Sequence, residues 1–461
     1  MSENAFDLVV IGGGPGGYEA AAYASEHGLS TACVEMNAVG GVCLHRGCIP
    51  SKTLIRSAEL LEWAKDSADF GVTVEGEVRF HLTAAMDNKS KVIQRLHKGT
   101  QSLLKSAGVT TVIGRGRLAG PNRVTVASEE GEKLLEAGKI IVATGSAPRL
   151  LPGMVADGER IITSDHALSL SDVPASTIIL GAGAIGMEFA YILSTYGSKV
   201  TVLELLPRVL PLEDEEISKQ LDRLYRKRCD IRCGVKVTGA EARADGVAVT
   251  AENEAGEASV YEAEKLLVAV GRRPLSEDLG LEEAGVVVER GYVRTDEVMR
   301  TANPDIYAIG DVVGRLPLAH TASAEGMVAV DSILGRSPAP LDYDLIPRAT
   351  YCHPEAASVG LTEAKAKEKG YSVATSQVMF RAIGKAVASG DVEGLCKLVA
   401  EEGSGKLLGV HIIGPHATEL IAEAGIALRL GATARDVARS VHAHPTLAEV
   451  VMQAAQRLVT E

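Results

Sequence analysis

Two stretches of this chain repeat one design at a fixed offset, and that duplication limits its possible folds more than anything else in it. The apolar run over residues 6–11 leads into Gly12-Gly13-Gly14-Pro15-Gly16-Gly17, a helix-forming stretch over 18–23, and a second strand over 31–34 that ends at Glu35. The run over 178–180 leads into Gly181, Gly183 and Gly186, a helix from Met187, a strand over 199–203 and Glu204. Each of the four key positions lies 169 residues after its counterpart. In such a unit the first glycine makes the tight turn and the second lets a pyrophosphate approach the backbone. The third lets helix pack on strand, the acid takes ribose hydroxyls, and the phosphates rest on the helix N-terminus. One glycine fingerprint is weak evidence, but two complete units with identical spacing point to two dinucleotide sites on an α/β chain.

Between the two units stands Gly40-Gly41-Val42-Cys43-Leu44-His45-Arg46-Gly47-Cys48-Ile49-Pro50-Ser51-Lys52. A bridge closing so short a loop removes little unfolded-state entropy, so redox chemistry explains a Cys43–Cys48 disulfide better than stapling does. The alternative is a pair of free, half-buried cysteines. Residues five apart on an ideal helix have Cα atoms roughly 8 to 9 Å apart, past the ~7 Å reach of a disulfide. Any helix here is therefore distorted, which Gly47 makes easier. Lys52, four residues after Cys48, shares its helical face and favours a thiolate. Two dinucleotides and a dithiol make a relay. A flavin suits the first site, since it accepts a hydride and exchanges an electron pair with a disulfide, and nicotinamide suits the second. Glu204 favours NAD over NADP, and Arg208, behind Pro207, reads as a solvated charge.

At 461 residues the chain exceeds one core. The runs ending in Ala143-Thr144-Gly145-Ser146 and Ala269-Val270-Gly271-Arg272 look alike and close the two nucleotide units. A further strand ends at Asp311, which suits a ribityl or ribose hydroxyl or else a turn or helix cap. Leu318-Ala319-His320 opens a helix whose amides suit a flavin ring, with His320 alternatively an ordinary helix-start polar group. These marks divide the chain into an FAD-binding domain over 1–150, an NAD-binding domain over 151–271, a central domain over 272–341 completing the FAD site, and an α+β interface domain over 342–461.

That last third is expected to hold a buried strand over 408–414 and helices over 417–430 and 447–458. It also carries Val441-His442-Ala443-His444-Pro445-Thr446-Leu447-Ala448-Glu449. A dithiol relay needs a base, and His444 with Glu449 fits a histidine oriented by a carboxylate. Equally, 446–449 forms a capping box in which Glu449 serves only the backbone, and His442 competes with His444.

Cys229 and Cys233 lack the partners of a zinc site, so no metal is expected; Cys33 and Cys396 read as core, and Cys352 as a weak candidate for reactivity. Seven cysteines in this length suit a reducing compartment, and an N-terminus without a basic segment or any membrane-length apolar run suits the cytoplasm. A net charge of −13, one Trp and five Phe argue against a nucleic-acid partner.

Taken together, the segment 40–52, the Ala143-Thr144-Gly145 turn, Leu318-Ala319-His320, His411-Ile412-Ile413-Gly414-Pro415-His416 and His442-Ala443-His444-Pro445-Thr446 resemble the motifs of the pyridine nucleotide–disulfide oxidoreductases over almost the whole chain. Within that family the likeness is greatest to the branch that oxidises dihydrolipoyl groups. It implies a homodimer holding FAD and NAD, two Rossmann-like domains and a dimerisation domain, with a lipoyl-bearing acyltransferase or carrier protein of a 2-oxo acid dehydrogenase-type complex as partner. It also implies that Cys48 faces the flavin, Cys43 exchanges with substrate, and Lys52 pairs with Glu188. By the same resemblance Gly41 and Val42 lie along the flavin, Gly116 and Val237 touch FAD and NAD through their backbone, and His444 with Glu449 serves the partner subunit's dithiol. Cys352 stands where Thr is usual, Thr321 where Lys is common, and Met36 where Lys is frequent. Glutathione- or mercuric-type reduction with NADPH is the nearest rival; Glu204 opposes the first and a tail without a cysteine pair the second. A non-catalytic flavin-binding redox sensor would keep the glycines and need no base.

Overall fold

The computed structural model describes residues 4–460, which resolve into two compact units, each built from three segments of chain. The first holds the chain up to Thr53 with Met86–Arg149 and Arg272–Tyr343; the second holds Leu54–Ala85, Leu150–Gly271 and the chain from Asp344 onward. Among the described residues no helix is long and apolar enough to cross a membrane.

In the first unit the strands Thr110–Ile113, Thr31–Glu35, Ala5–Ile11 and Gly131–Val142 lie side by side in that order, parallel throughout. The last of them is long enough to take further partners along its length within one seven-stranded sheet. Its first half pairs antiparallel with Arg123–Ser128, and its final three residues pair in parallel with Ile306–Ala308. Leu8, Val9 and Val10 are all fully buried because a parallel strand is covered on both faces, which explains the unbroken apolar run. Leu8 and Val10 pack with Ala20 and Ala24 of the helix Pro15–Glu26, while Val9 and Ile11 pack into the opposite core with Val124 and Leu281.

The second unit repeats the arrangement with strands Asp230–Cys233, Lys199–Glu204, Ser176–Leu180, Lys265–Val268 and Ile161–Thr163 in that order, again all parallel. Even the register is duplicated. Val10 faces Cys33 and Ile11 faces Val34 in the first unit; Ile179 faces Val202 and Leu180 faces Leu203 in the second. An antiparallel sheet of Lys236–Ala242, Val247–Glu252 and Ala258–Ala263 follows.

The C-terminal third is the expected α+β layer. Five antiparallel strands run in the order Arg348–Thr350, Glu355–Gly360, Leu407–Gly414, Leu395–Glu401 and Val373–Met379. The helices Ala417–Arg429 and Glu449–Thr460 contribute Ile421, Ala424, Val450 and Ala454 to a core with Leu398 and Ile412.

Candidate active site and nucleotide cradles

The two glycine turns build matching cradles. The helices Pro15–Glu26 and Ala184–Tyr196 begin at Gly14 and Gly183 without a side-chain cap, which leaves first-turn N–H groups for an anion. A methyl group added at Gly17 would fall on the Gly12 carbonyl, and one at Gly186 on the Gly181 carbonyl, so these close helix–turn contacts admit only glycine. At Gly14 and Gly183 the same methyl would meet nothing within 4 Å, so the space in front of each turn is open to a pyrophosphate. Glu35 accepts from Gly13 N (2.7 Å) and Asn37 N (2.9 Å), and Glu204 from Ala182 N (2.6 Å) and Leu206 N (2.8 Å). A carboxylate has about four acceptor positions, so each retains capacity for ribose hydroxyls. Both cradles therefore fit a dinucleotide.

Other expected residues of the first unit gather around Ser146. Its hydroxyl donates to Asp311 and accepts from Arg272 Nε (2.7 Å), while Arg272 Nη2 donates to the Ser146 carbonyl (2.8 Å). Thr144 Oγ1 donates to Leu275 O at 2.6 Å, and Leu275 N returns a bond to Gly145 O at 3.0 Å. The Gly310–Val312 turn that carries Asp311 is held by Glu325, which accepts from Gly310 N (2.6 Å) and Tyr343 OH (2.7 Å). Burial pushes the Glu325 carboxyl above its usual range. Gly116 lies in the strand Arg115–Leu118 against Ile11 and Val34. Leu318 is the N-cap of the helix Ala319–Ile333, with Ala319 and His320 in its first turn. Arg272, Glu325 and Tyr343 were not legible as site residues: Arg272 acts through a partner 126 residues away, and Glu325 through partners 15 and 18 residues away on other elements.

Cys43 and Cys48 form a disulfide with Cα atoms 4.7 Å apart. The expected distortion falls at Gly47, where φ −148° and ψ −108° separate the helix Gly41–Arg46 from Cys48–Asp66. This segment is mounted directly on the first cradle. Gly40 N donates to Gly13 O at 2.7 Å, and a methyl group at Gly41, whose φ is +58°, would stand 2.6 Å from Gly14 Cα. Only glycine allows that approach and that backbone angle. Val42 and Cys43 are half-buried, and Lys52 Nζ lies 3.4 Å from Ser51 Oγ.

In the second unit Glu188 is buried on the helix Ala184–Tyr196, and its Oε1 accepts from Tyr351 N at 3.0 Å. Val237 adjoins an irregularity in the strand pairing. Arg208 is not the solvated charge expected: its Nη2 donates to Pro211 O (3.2 Å) and Glu213 O (3.3 Å), tying the loop after Glu204 to itself. His444 Nδ1 lies 2.9 Å from Glu449 Oε1, and Glu449 Oε2 accepts from Thr446 N at 2.9 Å, so the carboxylate orients the ring and also caps the backbone; the expectation that it serves only the backbone does not hold. His442 pairs instead with Glu423, a partner the sequence did not suggest. Among the other cysteines, Cys352 is buried and its thiol is pushed up to about 12 by burial and Glu188.

Residues 6–326 match the pyridine nucleotide-disulphide oxidoreductase family, and residues 346–455 match the dimerisation domain of those enzymes. The chain is 48% identical to the dihydrolipoyl dehydrogenase of Chlorobaculum parvum over 98% of its own length and 96% of that protein's. It is 43% identical to the dihydrolipoyl dehydrogenase of Bacillus subtilis, covering 98% and 97% of the two chains. The mitochondrial dihydrolipoyl dehydrogenase of Pisum sativum is 41% identical, with 97% and 90% covered. In three dimensions the chain superposes on LpdA of Mycobacterium tuberculosis with a TM-score of 0.90 at 29% identity, spanning 98% of this chain and 99% of the other. Agreement of this kind from end to end, in sequence and in fold, makes the chain a member of the pyridine nucleotide-disulphide oxidoreductase family.

Proposed function

We infer that the chain oxidises dihydrolipoamide to lipoamide and reduces NAD to NADH, the dihydrolipoyl dehydrogenase reaction, working as an FAD-loaded homodimer. The observation that carries this is the mounting of the Cys43–Cys48 disulfide on the phosphate turn of the first cradle. Gly12, Gly14, Gly17, Glu35, Gly116, Ser146 and Asp311 would hold the FAD, and Gly181, Gly183, Gly186 and Glu204 the NAD. Bound there, FAD would supply two-electron redox chemistry between the reduced cysteine pair and nicotinamide. His444, oriented by Glu449 through Nδ1, takes the proton of the incoming thiol at Nε2. The resulting thiolate attacks Cys43, the Cys43–Cys48 bond breaks, and Cys48 leaves as a thiolate; the second substrate thiol then displaces Cys43, releasing lipoamide and two reduced cysteines. Lys52, one turn beyond Cys48, favours that thiolate electrostatically.

The His444 side chain is 76% exposed, as a base presented to another copy of the chain would be. The substrate is a lipoyl arm carried on an acyltransferase or lipoyl carrier protein, in a cytoplasmic complex. Lipoamide-dependent NADH formation by Cys48→Ser tests the reading: activity near zero is expected, and substantial retained activity overturns it.

A further inference from the structure

The loop that presents His444 runs between the helices Ala434–Arg439 and Glu449–Thr460, and most of its anchors are local. Thr446 Oγ1 donates to Ala443 O (2.8 Å), Thr446 N to Glu449, and Ser440 Oγ to Asp436 O (3.0 Å). Val441 is 97% exposed and contributes no packing. Leu447 packs its side chain against the core of the C-terminal layer, and one polar side chain also reaches beyond the loop. His442 Nε2 lies 2.6 Å from Glu423 Oε1 and its Nδ1 lies 2.9 Å from Ser440 O, with the His442 side chain only 9% exposed. Each ring nitrogen thus has a partner, Ser440 O inside the loop and Glu423 on a neighbouring helix. Glu423 itself rides on Ala417–Arg429, a helix locked to the C-terminal sheet by Ile421, Ala424 and Leu428.

We propose that Glu423 and His442 are positioning residues for dithiol oxidation, a hydrogen-bonded tie that fixes the His444 loop to the rigid core of the C-terminal layer. The tie acts on the base and on nothing in the nucleotide cradles, so it separates the two half-reactions. A base displaced by about 1 Å can lose up to ~100-fold in rate. His442 also adds to the hydrogen bonds from His444 and Thr446 that hold the Glu449 carboxyl below its ordinary range.

This inference rests on the dithiol–disulfide reading above, and its test separates the two. In FAD-loaded dimers of Glu423→Ala, reduction by dihydrolipoamide and reduction by NADH are timed separately by stopped flow. The expected result is a loss of about ten-fold or more with dihydrolipoamide, NADH reduction within about two-fold of the parent, and partial recovery in Glu423→Asp. Equal loss in both half-reactions, or an unchanged dihydrolipoamide rate, overturns the proposal. Should Glu423→Ala not load FAD, Glu423→Leu keeps most of the volume and removes the acceptor, and the same ratio decides. Cys48→Ser is run alongside: turnover there sinks the functional reading itself, whereas an inactive Cys48→Ser beside a parent-like Glu423→Ala sinks only the tie.

Discussion

His444 Nδ1 stands 2.9 Å from Glu449 Oε1, while the other oxygen of the same carboxylate accepts the Thr446 N–H that opens the last helix. One side chain thus fixes both the ring that does the chemistry and the turn that carries it. A ring held through Nδ1 presents Nε2 outward, the tautomer a general base requires.

Replacing Glu449 by Gln should lower kcat by about one to two orders of magnitude, with a smaller change in the KM for dihydrolipoamide. The bond from His444 and the Thr446 N–H hold the Glu449 carboxyl below its ordinary range. A carboxylate depressed in this way makes its contribution above its unfolded value of about 4.3 and loses it as pH falls further. The deficit of the variant is therefore expected to be flat from about pH 5 upward. A deficit that instead appeared only in alkali would assign the orienting role elsewhere.

The paired glycines separate folding from binding. In Gly183→Ala the added methyl meets open space, so the protein should fold and keep its FAD but show an NAD KM raised about ten-fold or more. In Gly186→Ala the methyl collides with the Gly181 carbonyl, so stability itself should fall, by about 1–3 kcal/mol. Thermal melts alongside NAD kinetics distinguish the two. Equal melting temperatures in both variants would contradict the geometry.

What could be read in the sequence was whatever is encoded locally or repeated. The two cradles were legible because their glycines and acids recur at one spacing, and the disulfide because its cysteines and Gly47 fall within six residues of chain. His444 and Glu449 are five apart and share a turn. What escaped was built by closure across the fold. Arg272 meets Ser146 across 126 positions, Tyr351 meets Glu188 across 163, and Glu423 meets His442 from another helix. Arg208 was misread for the same reason, since whether a guanidinium finds solvent or a carbonyl depends on how its loop folds back.

That inward turn of Arg208 bears on coenzyme choice. Glu204 disfavours a 2′-phosphate by charge, and the neighbouring guanidinium is committed to the carbonyls of Pro211 and Glu213. Glu204→Ser alone should therefore weaken NAD use without creating efficient NADP use. Both kcat/KM values, measured side by side, are expected to leave NAD preferred, and a reversal of preference in this single variant would show that Arg208 is free to swing outward.

Thiol chemistry should be confined to the redox pair. Burial raises the thiols of Cys33 and Cys352 to about 12, of Cys229 and Cys233 to about 11, and of Cys396 well above its ordinary value. Thiolate is the reactive form, so at pH 8 these five are almost wholly protonated, and four of them are also buried. Alkylation followed by peptide mass spectrometry should find little rapid labelling in the oxidised enzyme and two fast sites, Cys43 and Cys48, after reduction by NADH. Cys352 is the informative case, because burial and the charge of Glu188 disfavour a thiolate there. Rapid modification of Cys352 in the folded oxidised enzyme would mean that this interior opens on the labelling timescale.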